Sequence, residues 1–501
     1  MKKFWLVLVS LGLVMAFSVS AFAVDVKVGA EYYVGGLYLN KITLDDGFQN
    51  WAGRTGSENP STAFFYQRLR VGTDFVVSPC LKLVTQFDAM ERIWGGARSN
   101  TWQVNQQPID PYAPVSFSAG TRAETENIAM RLMYIDYTSP IGLFRVGYQE
   151  DYVWGTVWAD RASGVPAGQI LYMVPVGPFV FGFDFGKEVS QSYSAVSSTS
   201  WYGPYKYNAT LNDADSNSYR IGGIYNFKGG DAGLLFLWTR NATDRATTTP
   251  FPYGFLQNVY VIDPYVKAKI GPVALQAEAL YWFGDAMKAD GGPGFAGGNT
   301  INISSLSAFV DATANFGMFY AGGSLAYVQG QNPGDVGNKL EGGVSPFSGG
   351  LDWNPCLIMF NTQTLGYWVG GINGHSAIYG PGSAYVNPID GEMMNVWFGQ
   401  IRGGIKPTPH WDIMASISYA QADQNGFVIT GPTTTATFPG KTYGTEIDLT
   451  GTYKITNNLS YMLGGGYFFT GDYFKGLNTA FAGGAKVTDD FILINKLTLS
   501  F

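Results

Sequence analysis

Charged side chains alternate with aromatic ones along several short segments of this sequence. In FVFGFDFGKE, residues 179–188, the phenylalanines fall on one parity, while Asp184 and Glu188 fall on the other. Successive side chains of a strand point to opposite faces, so this segment has an aromatic face and a small, partly charged face. The same alternation places Arg145 opposite Val146 and Arg220 opposite Ile221. The charged faces are therefore the first place to look for function.

The charged residues assigned to these polar faces are mixed in sign. The basic ones are Arg68, Arg70, Lys82, Arg145, Arg220, Lys228, Lys267, Lys269, Arg402 and Lys406. The acidic ones are Asp74, Asp88, Asp184, Glu188, Asp263, Glu278, Asp311, Glu446 and Asp448. Rows of opposite charge across a water-filled passage would orient polar solutes and disfavour apolar ones. Alternatively, any single one of these residues lines the water-filled lumen and has no role in selectivity.

Residues for catalysis or metal binding are scarce. The two histidines, His375 and His410, have no nearby serine in a recognisable nucleophile turn, so we expect no enzymatic activity. The two histidines and two cysteines are widely spaced and match no zinc pattern, so we expect no metal and no cofactor. Cys80 and Cys356 could form a disulfide only if they lie on the same side of the fold.

The N-terminal residues and the composition indicate export to a membrane. Lys2 and Lys3 precede an apolar run and an Ala-Phe-Ala site at 21–23, which predicts a secretory signal over residues 1–23. The chain has 16% aromatic and only 14% charged residues, whereas soluble domains carry about 25% charged residues. No later apolar run approaches the 18 residues of a spanning helix. These features predict a transmembrane β-barrel over residues 24–501.

Links of two lengths connect the alternating segments. Short links are predicted at 78–80, 139–142, 176–178, 228–231, 270–272, 316–317, 407–410, 456–458 and 488–490, and long ones at 40–62, 94–123, 191–216, 285–302 and 422–440. Short turns on one rim and long loops on the other are typical of membrane barrels. The count is about 18 antiparallel strands, with 16 or 20 as alternatives. Residues 330–390 are interpreted as a single loop, external or folded into the pore, rather than a hidden hairpin.

The chain resembles the Gram-negative outer-membrane porins. The resemblance rests on the leader, the alternating strands, the two link lengths and a last strand, DFILINKLTLSF, that ends in Phe501. It implies short periplasmic turns, long extracellular loops, a homotrimer and contact with outer-membrane lipid and lipopolysaccharide. It also implies that Leu497, Leu499 and Phe501 form the signal that the barrel-assembly machinery recognises. Since the alternating segment 24–40 follows the leader directly, we expect no plug domain.

Porins fold an early loop inward to set the pore size, and residues 148–168 resemble such a loop in position and mixed charge. The residues that carry this resemblance are Glu150, Asp151, Trp154, Asp160 and Arg161. The alternative is an exposed surface loop. A second candidate is residues 91–100, with Glu91, Arg92 and Arg98.

Three functions are compatible with this sequence. The first is a porin for passive diffusion of small hydrophilic solutes and ions, without nucleic-acid contacts. The second is a substrate-selective channel for sugars, organic acids or an exported polysaccharide. Trp102, Trp154 and Trp158 would support a sugar track if they face the lumen, and a lipid belt if they face outward. The third is a closed structural barrel.

Overall fold

The computed structural model describes most of the chain beyond the predicted leader. The described residues are 24–41, 44, 61–95, 128–161, 166–190, 214–243, 254–290, 300–335, 339–342, 350, 352–369, 393–431, 434–475 and 488–501. The predicted leader, residues 1–23, lies outside them, as do Arg98, Trp102 and His375. Within the described part, no helix is both long and apolar enough to cross a membrane.

Strands make up nearly all of the described structure. They are β1 (Asp25–Leu39), β2 (Thr62–Ser78), β3 (Leu81–Ile93), β4 (Ile128–Ser139), β5 (Gly142–Gln149), β6 (Ala167–Val176), β7 (Phe179–Val189), β8 (Ser216–Phe227), β9 (Gly230–Asn241), β10 (Phe255–Ile270), β11 (Val273–Ala289), β12 (Thr300–Phe316), β13 (Phe319–Val328), β14 (Lys339–Leu340), β15 (Val396–Ile405), β16 (Trp411–Ala422), β17 (Phe427–Gly431), β18 (Thr434–Thr437), β19 (Thr442–Lys454), β20 (Leu459–Thr470) and β21 (Asp490–Ser500). Strand β14 adds in parallel to the end of β12, and β17 pairs with β18 in a separate hairpin.

The other 18 strands form one closed antiparallel barrel, which confirms the predicted fold class and strand number. Each strand pairs with the next barrel strand along the chain, and β1 closes the ring by pairing with β21. Ala30 and Phe501 extend this seam through two backbone hydrogen bonds, of 2.8 and 3.0 Å. Closure matters because an open strand edge in lipid would leave backbone groups without partners.

The outer face of the barrel is apolar, as the alternation predicts. Phe179, Phe181 and Phe183 are between 41% and 49% exposed on this face, whereas Asp184 points inward to Arg220. Aromatic rings stack from strand to strand on the same face, with Tyr219 4.8 Å from Trp238 and Tyr260 5.4 Å from Phe283. Such a band of tyrosine, tryptophan and phenylalanine is typical of the membrane interface.

The connections fall on two rims, the short-turn rim and the long-loop rim. Eight of the nine predicted short links join strands on the short-turn rim. The prediction of a short turn at 488–490 is wrong, because Asp490 already begins β21 and the link from β20 spans residues 471–489 on the long-loop rim. The link from β13 to β15, residues 329–395, is a single connection, and its residues 352–369 lie inside the barrel.

Strand β4 follows neither parity throughout its length, and a bulge explains why. Between β3 and β4, Gln86 pairs with Leu132 but Phe87 pairs with Met130, so Arg131 is an extra residue. A bulge shifts the parity of the strand by one position. Arg131 and Asp136 therefore both reach inward-facing partners, Gln86 and Arg145 respectively.

Strand lengths decide where the long connections leave the wall. Strands β5 and β6 contain 8 and 10 residues, whereas β11 and β12 contain 17 each. The connection between β5 and β6 therefore departs well below the long-loop rim. The strands that flank residues 329–395, β13 and β15, are also short, with 10 residues each. Both connections thus begin at a height from which they can enter the lumen.

Two neighbouring positions of β19 test the assignment of faces. Leu449 is 59% exposed on the outer face, and Thr452 points inward beside Asp412 on β16. Replacing Leu449 with Arg should lower the free energy of unfolding by about 2–4 kcal/mol, because an arginine at mid-membrane must face lipid. Replacing Thr452 with Arg should change it by less than about 0.5 kcal/mol. Denaturant titration in detergent or lipid gives both values, and equal costs would contradict the assigned faces.

Candidate functional site inside the barrel

The first inward loop, residues 150–161, is tied to the far side of the lumen. The Tyr152 hydroxyl donates a 2.8 Å hydrogen bond to Asp263 on β10, and the Thr156 backbone N–H donates one of 2.9 Å to Glu278 on β11. Burial, and then the charge of Asp263, raises the pKa of Tyr152 well above its usual value, so this hydroxyl stays protonated and donates. These bonds hold the loop across the lumen instead of above it.

Two inward-facing glycines make room for Trp154 of this loop. A Cβ atom on Gly222 would lie 3.0 Å from the Trp154 ring, and one on Gly233 would lie 2.9 Å from it. The indole N–H of Trp154 donates to the backbone oxygen of Asp263 at 3.3 Å, and its ring meets Tyr265 edge-on at 5.3 Å. Any larger residue at these two positions would displace Trp154 from the wall. The alternation of β8 and β9 in the sequence predicts that these glycines face inward, but it does not predict their contact with Trp154.

The second inward loop, residues 352–369, is held by the opposite wall. Glu446 on β19 accepts hydrogen bonds from the backbone N–H groups of Ile358 at 2.6 Å and Met359 at 2.7 Å. Gln400 on β15 donates its side-chain amide to the Pro355 carbonyl at 2.7 Å. Glu446 accepts two of these three bonds, both from backbone N–H groups, so it is the main anchor of this loop.

The end of the second loop crosses to β1, β2 and β3. A π-helical segment, Thr362–Val369, places Trp368 against Tyr66, with ring centroids 4.7 Å apart. Tyr367, one residue earlier, hydrogen-bonds to Glu91 at the end of β3, and burial together with the charge of Glu91 raises the pKa of Tyr367. The second loop therefore spans the lumen from one wall to the other.

The two loops also contact each other. The Gly350 backbone N–H donates to the Trp158 carbonyl at 2.7 Å. The Trp158 ring stacks on Phe309 of β12 at 5.4 Å, and Trp353 packs edge-on against Phe309 at 4.6 Å. Trp158 is only 1% exposed, so it lies in an apolar core that the loops build inside the barrel. This core narrows the lumen, and the sequence analysis did not anticipate it.

Four predicted inward carboxylates lie beneath these loops. Asp263, Glu278, Glu446 and Asp448 are at most 4% exposed, and the first three bind loop groups directly. Asp448 sits beside Glu446 and is 3.5 Å from the Ser416 hydroxyl. All four point inward, but the loops cover them. Their geometry is that of anchors for the loops rather than of a wetted wall.

The wall from β2 to β8 carries a series of inward ion pairs. Arg70 binds Asp88 through two hydrogen bonds of 2.7 Å, and Arg145 binds Asp136 through bonds of 2.7 and 2.9 Å. Arg220 lies 2.5 Å from Asp184, 2.6 Å from Asp151 of the first loop and 3.6 Å from Glu188. The first loop adds one more pair, in which Glu150 is 3.2 Å from Arg131.

Most of the remaining charged residues of the predicted set form ion pairs, and others lie in the first loop or in a short turn. Five of the basic residues form ion pairs with these nitrogen–oxygen distances: Arg68–Glu91 3.7 Å, Lys82–Asp74 2.9 Å, Lys267–Asp231 3.6 Å, Arg402–Asp311 2.7 Å and Lys406–Asp412 3.2 Å. Asp160 and Arg161 end the first loop, with backbone bonds to Thr156 and Tyr152, and Lys228 lies in a short turn. Glu91 and Arg92 belong to β3, so residues 91–100 do not begin as a loop. Arg131 and Asp136, which are not among the predicted site residues, share these networks with the predicted set.

Several other predicted positions lie outside the lumen or apart from each other. Leu497, Leu499 and Phe501 are 38%, 36% and 66% exposed on the outer face of the closing strand and at its end. Cys80 is exposed in the turn between β2 and β3, whereas Cys356 is a buried residue of the second inward loop, and both are free thiols. The His410 ring nitrogen Nδ1 is 2.8 Å from the Lys454 carbonyl on the short-turn rim.

Comparisons with known proteins find similarity of fold over nearly the whole chain. No protein-family model and no curated protein matches the sequence. The solved structure of Pseudomonas aeruginosa OpdK with vanillate is 11% identical, with 95% of this chain and 98% of that chain covered and a TM-score of 0.45. P. aeruginosa OccK2 (OpdF) is likewise 11% identical, with the same coverage and TM-score. The outer-membrane channel DcaP of Acinetobacter baumannii is 11% identical, with 96% and 99% covered and a TM-score of 0.39.

The anchoring of the second loop can be measured with the thiol of Cys356. Burial raises the pKa of this thiol well above its usual value, so in the docked loop it should react slowly with a maleimide. In a Cys80→Ser background, Glu446→Ala removes the acceptor of two backbone hydrogen bonds of the loop. It should raise the labelling rate by about tenfold or more. Asp412→Ala, which changes a carboxylate that does not touch the loop, should leave the rate unchanged. Equal rates in all three proteins would show that Glu446 does not hold the loop.

Proposed function

We propose that this chain forms a channel in the outer membrane that passes small hydrophilic solutes and ions. The observation that carries the proposal is a closed barrel with an apolar outer face and two anchored loops inside a lumen lined by charged residues. An 18-strand barrel is too wide for its wall side chains to fill. The inward loops occupy part of that width, which leaves the passage narrow and charged.

The paired charges along the wall support passage of polar solutes. Nearly every inward arginine has a carboxylate partner, so the wall presents dipoles rather than a field of one sign. Ordered charges of both signs orient water and polar groups close to the wall. Arg68, Arg70, Arg145 and Arg220, with their partners, are the residues we propose to line the passage.

A substrate-selective channel is the second candidate, and the two inward loops favour it. Both loops narrow the lumen, and each is fixed by buried carboxylates rather than lying loosely over the rim. A sugar track is not supported, because Trp158 is 1% exposed and packs against Phe309. Trp154 and Trp158 contact residues inside the barrel and are not part of a lipid belt.

The remaining parts of the proposal follow from the porin resemblance. We place the protein in the outer membrane of a Gram-negative bacterium after removal of residues 1–23, as a homotrimer in contact with lipopolysaccharide. Leu497, Leu499 and Phe501 would present the assembly signal, and their outward exposure leaves them accessible to the barrel-assembly machinery. No enzymatic activity, cofactor or nucleic-acid contact forms part of the proposal.

Planar-bilayer conductance tests the channel and the role of the first loop together. Deleting residues 153–160 should raise the single-channel conductance, because the narrowest section sets the resistance. Glu278→Ala, which removes the acceptor of the Thr156 N–H, should raise it less and increase current noise. Asp412→Ala on the wall of β16 serves as the control and should conduct like the unchanged protein.

Each outcome separates the candidate functions. Unchanged conductance after the deletion would mean that the first loop does not limit flow. Conductance reduced by one solute class and not by others would favour the selective channel. Absence of conductance in every variant, with the barrel folded, would overturn the proposal in favour of a closed structural barrel.

A further inference from the structure

An apolar pocket lies in the lumen between the first inward loop and the wall of β6–β9. Its floor consists of inward-facing Leu171, Met173, Val180, Ile224 and Leu235, and Val153 and Trp154 of the loop cover it. Val153 is 60% exposed, although it faces the lumen and not lipid. Exposure of apolar side chains to water is unfavourable. A cluster of them in a water-filled passage therefore indicates a surface that binds the apolar part of a solute.

The charged groups at the upper edge of this pocket are dominated by carboxylates. The lining holds three carboxylates, those of Glu150, Asp151 and Asp184, and two guanidinium groups, those of Arg145 and Arg220. Asp136, Glu188 and Arg131 lie beyond the lining and are ion-paired with these groups. Lys82 also approaches Asp136, but it is paired with its own carboxylate, Asp74. The edge of the pocket therefore has a surplus of negative charge.

Exposure strengthens this asymmetry. The side chains of Glu150 and Asp151 are each 32% exposed, whereas those of Arg131 and Arg220 are each 9% exposed. Arg145 is 27% exposed, but Asp136 binds it through both carboxylate oxygens and the Tyr134 ring lies 4.4 Å from it. A solute in the pocket would therefore meet mainly carboxylate oxygens.

One buried acceptor in the lining of the pocket has no hydrogen-bond donor within the protein. Asp184 lines the pocket with a side chain that is 8% exposed; its Oδ2 binds Arg220, and its Oδ1 has no hydrogen-bond donor. Unpaired buried acceptors are costly, and an ammonium group supplies three donors. Two other buried polar atoms of the pocket-lining residues have no partner, Nε2 of Gln149 and Nε of Arg220. Both are donors, and the guanidinium group of Arg220 already binds Asp151 and Asp184 through its other two nitrogens.

We propose that this pocket binds small amphipathic cations, that is, amines with an apolar body. The apolar body lies on the floor of Leu171, Val180 and Ile224 beside Trp154, and the ammonium group lies toward Glu150, Asp151 and Asp184. This assignment rests on the proposed channel function and gives it a preferred class of solute. An anion with the same apolar body would meet the carboxylate surplus and bind more weakly.

Binding is measured first without any current, by isothermal titration calorimetry on the full chain in detergent. The probe is phenethylammonium, with phenylacetate, phenethyl alcohol and ethylammonium as matched compounds that change the charge or remove the ring. Phenethylammonium should bind about tenfold more tightly than each of the three, because each lacks one of the two contributions. Equal affinity for phenylacetate, or no binding of phenethylammonium, would overturn the assignment.

Variants then locate the site. Glu150→Gln should weaken binding of phenethylammonium by about two- to fivefold, as expected for an exposed ion pair. Val180→Thr keeps the shape of the floor but replaces a methyl group with a hydroxyl group, and should weaken phenethylammonium binding and leave ethylammonium binding unchanged. Asp412→Asn removes a carboxylate of β16, outside the pocket, and should have no effect. Equal weakening by Glu150→Gln and Asp412→Asn would place the cation elsewhere.

Current block in planar bilayers connects the pocket to the channel. Phenethylammonium should reduce the single-channel current in the concentration range in which it binds, and phenylacetate should not. Conductance without cation-specific block and without calorimetric binding would refute the pocket and leave the channel intact. Binding in a protein that does not conduct would refute the channel and support the pocket alone.

Discussion

Complete pairing of backbone hydrogen bonds is the constraint on which the rest of this structure depends. In a hydrocarbon environment every strand must have a partner on both sides, and the pairing of β1 with β21 meets this requirement for the last two edges. Once the ring is closed, the two faces of each strand acquire different surroundings. The apolar face turns outward, and everything polar must be accommodated inside, together with any loop that leaves the wall below the rim.

The polar interior is used chiefly to hold other parts of the protein. Carboxylates on β10, β11 and β19 accept hydrogen bonds from the hydroxyl and backbone groups of the two inward loops. Each of these carboxylates would be costly to bury alone, and each loop amide would be costly to leave unpaired. Together they satisfy one another, so the same contacts that stabilise the loops also remove charge from the passage.

The fold followed from the sequence because alternation is a local property. The opposite faces of Phe183 and Asp184, eight of the nine short turns and the strand number could be predicted without knowledge of the tertiary structure. The contents of the lumen could not. The glycines beneath Trp154 and the docking of Ile358 on Glu446 depend on residues brought together by barrel closure. The inward position of Leu171, Val180 and Leu235 could be read from parity, but their meeting under one loop required the register of four strands.

The order of residues along the chain has a consequence for biogenesis. The first inward loop precedes its anchors, with Tyr152 separated from Asp263 by 111 residues and Thr156 from Glu278 by 122. The second loop precedes Glu446 by 88 residues at Ile358. Both loops are therefore synthesised before the strands that hold them. Each loop can dock only after its anchoring strands have joined the wall, which are β10 and β11 for the first loop and β19 for the second.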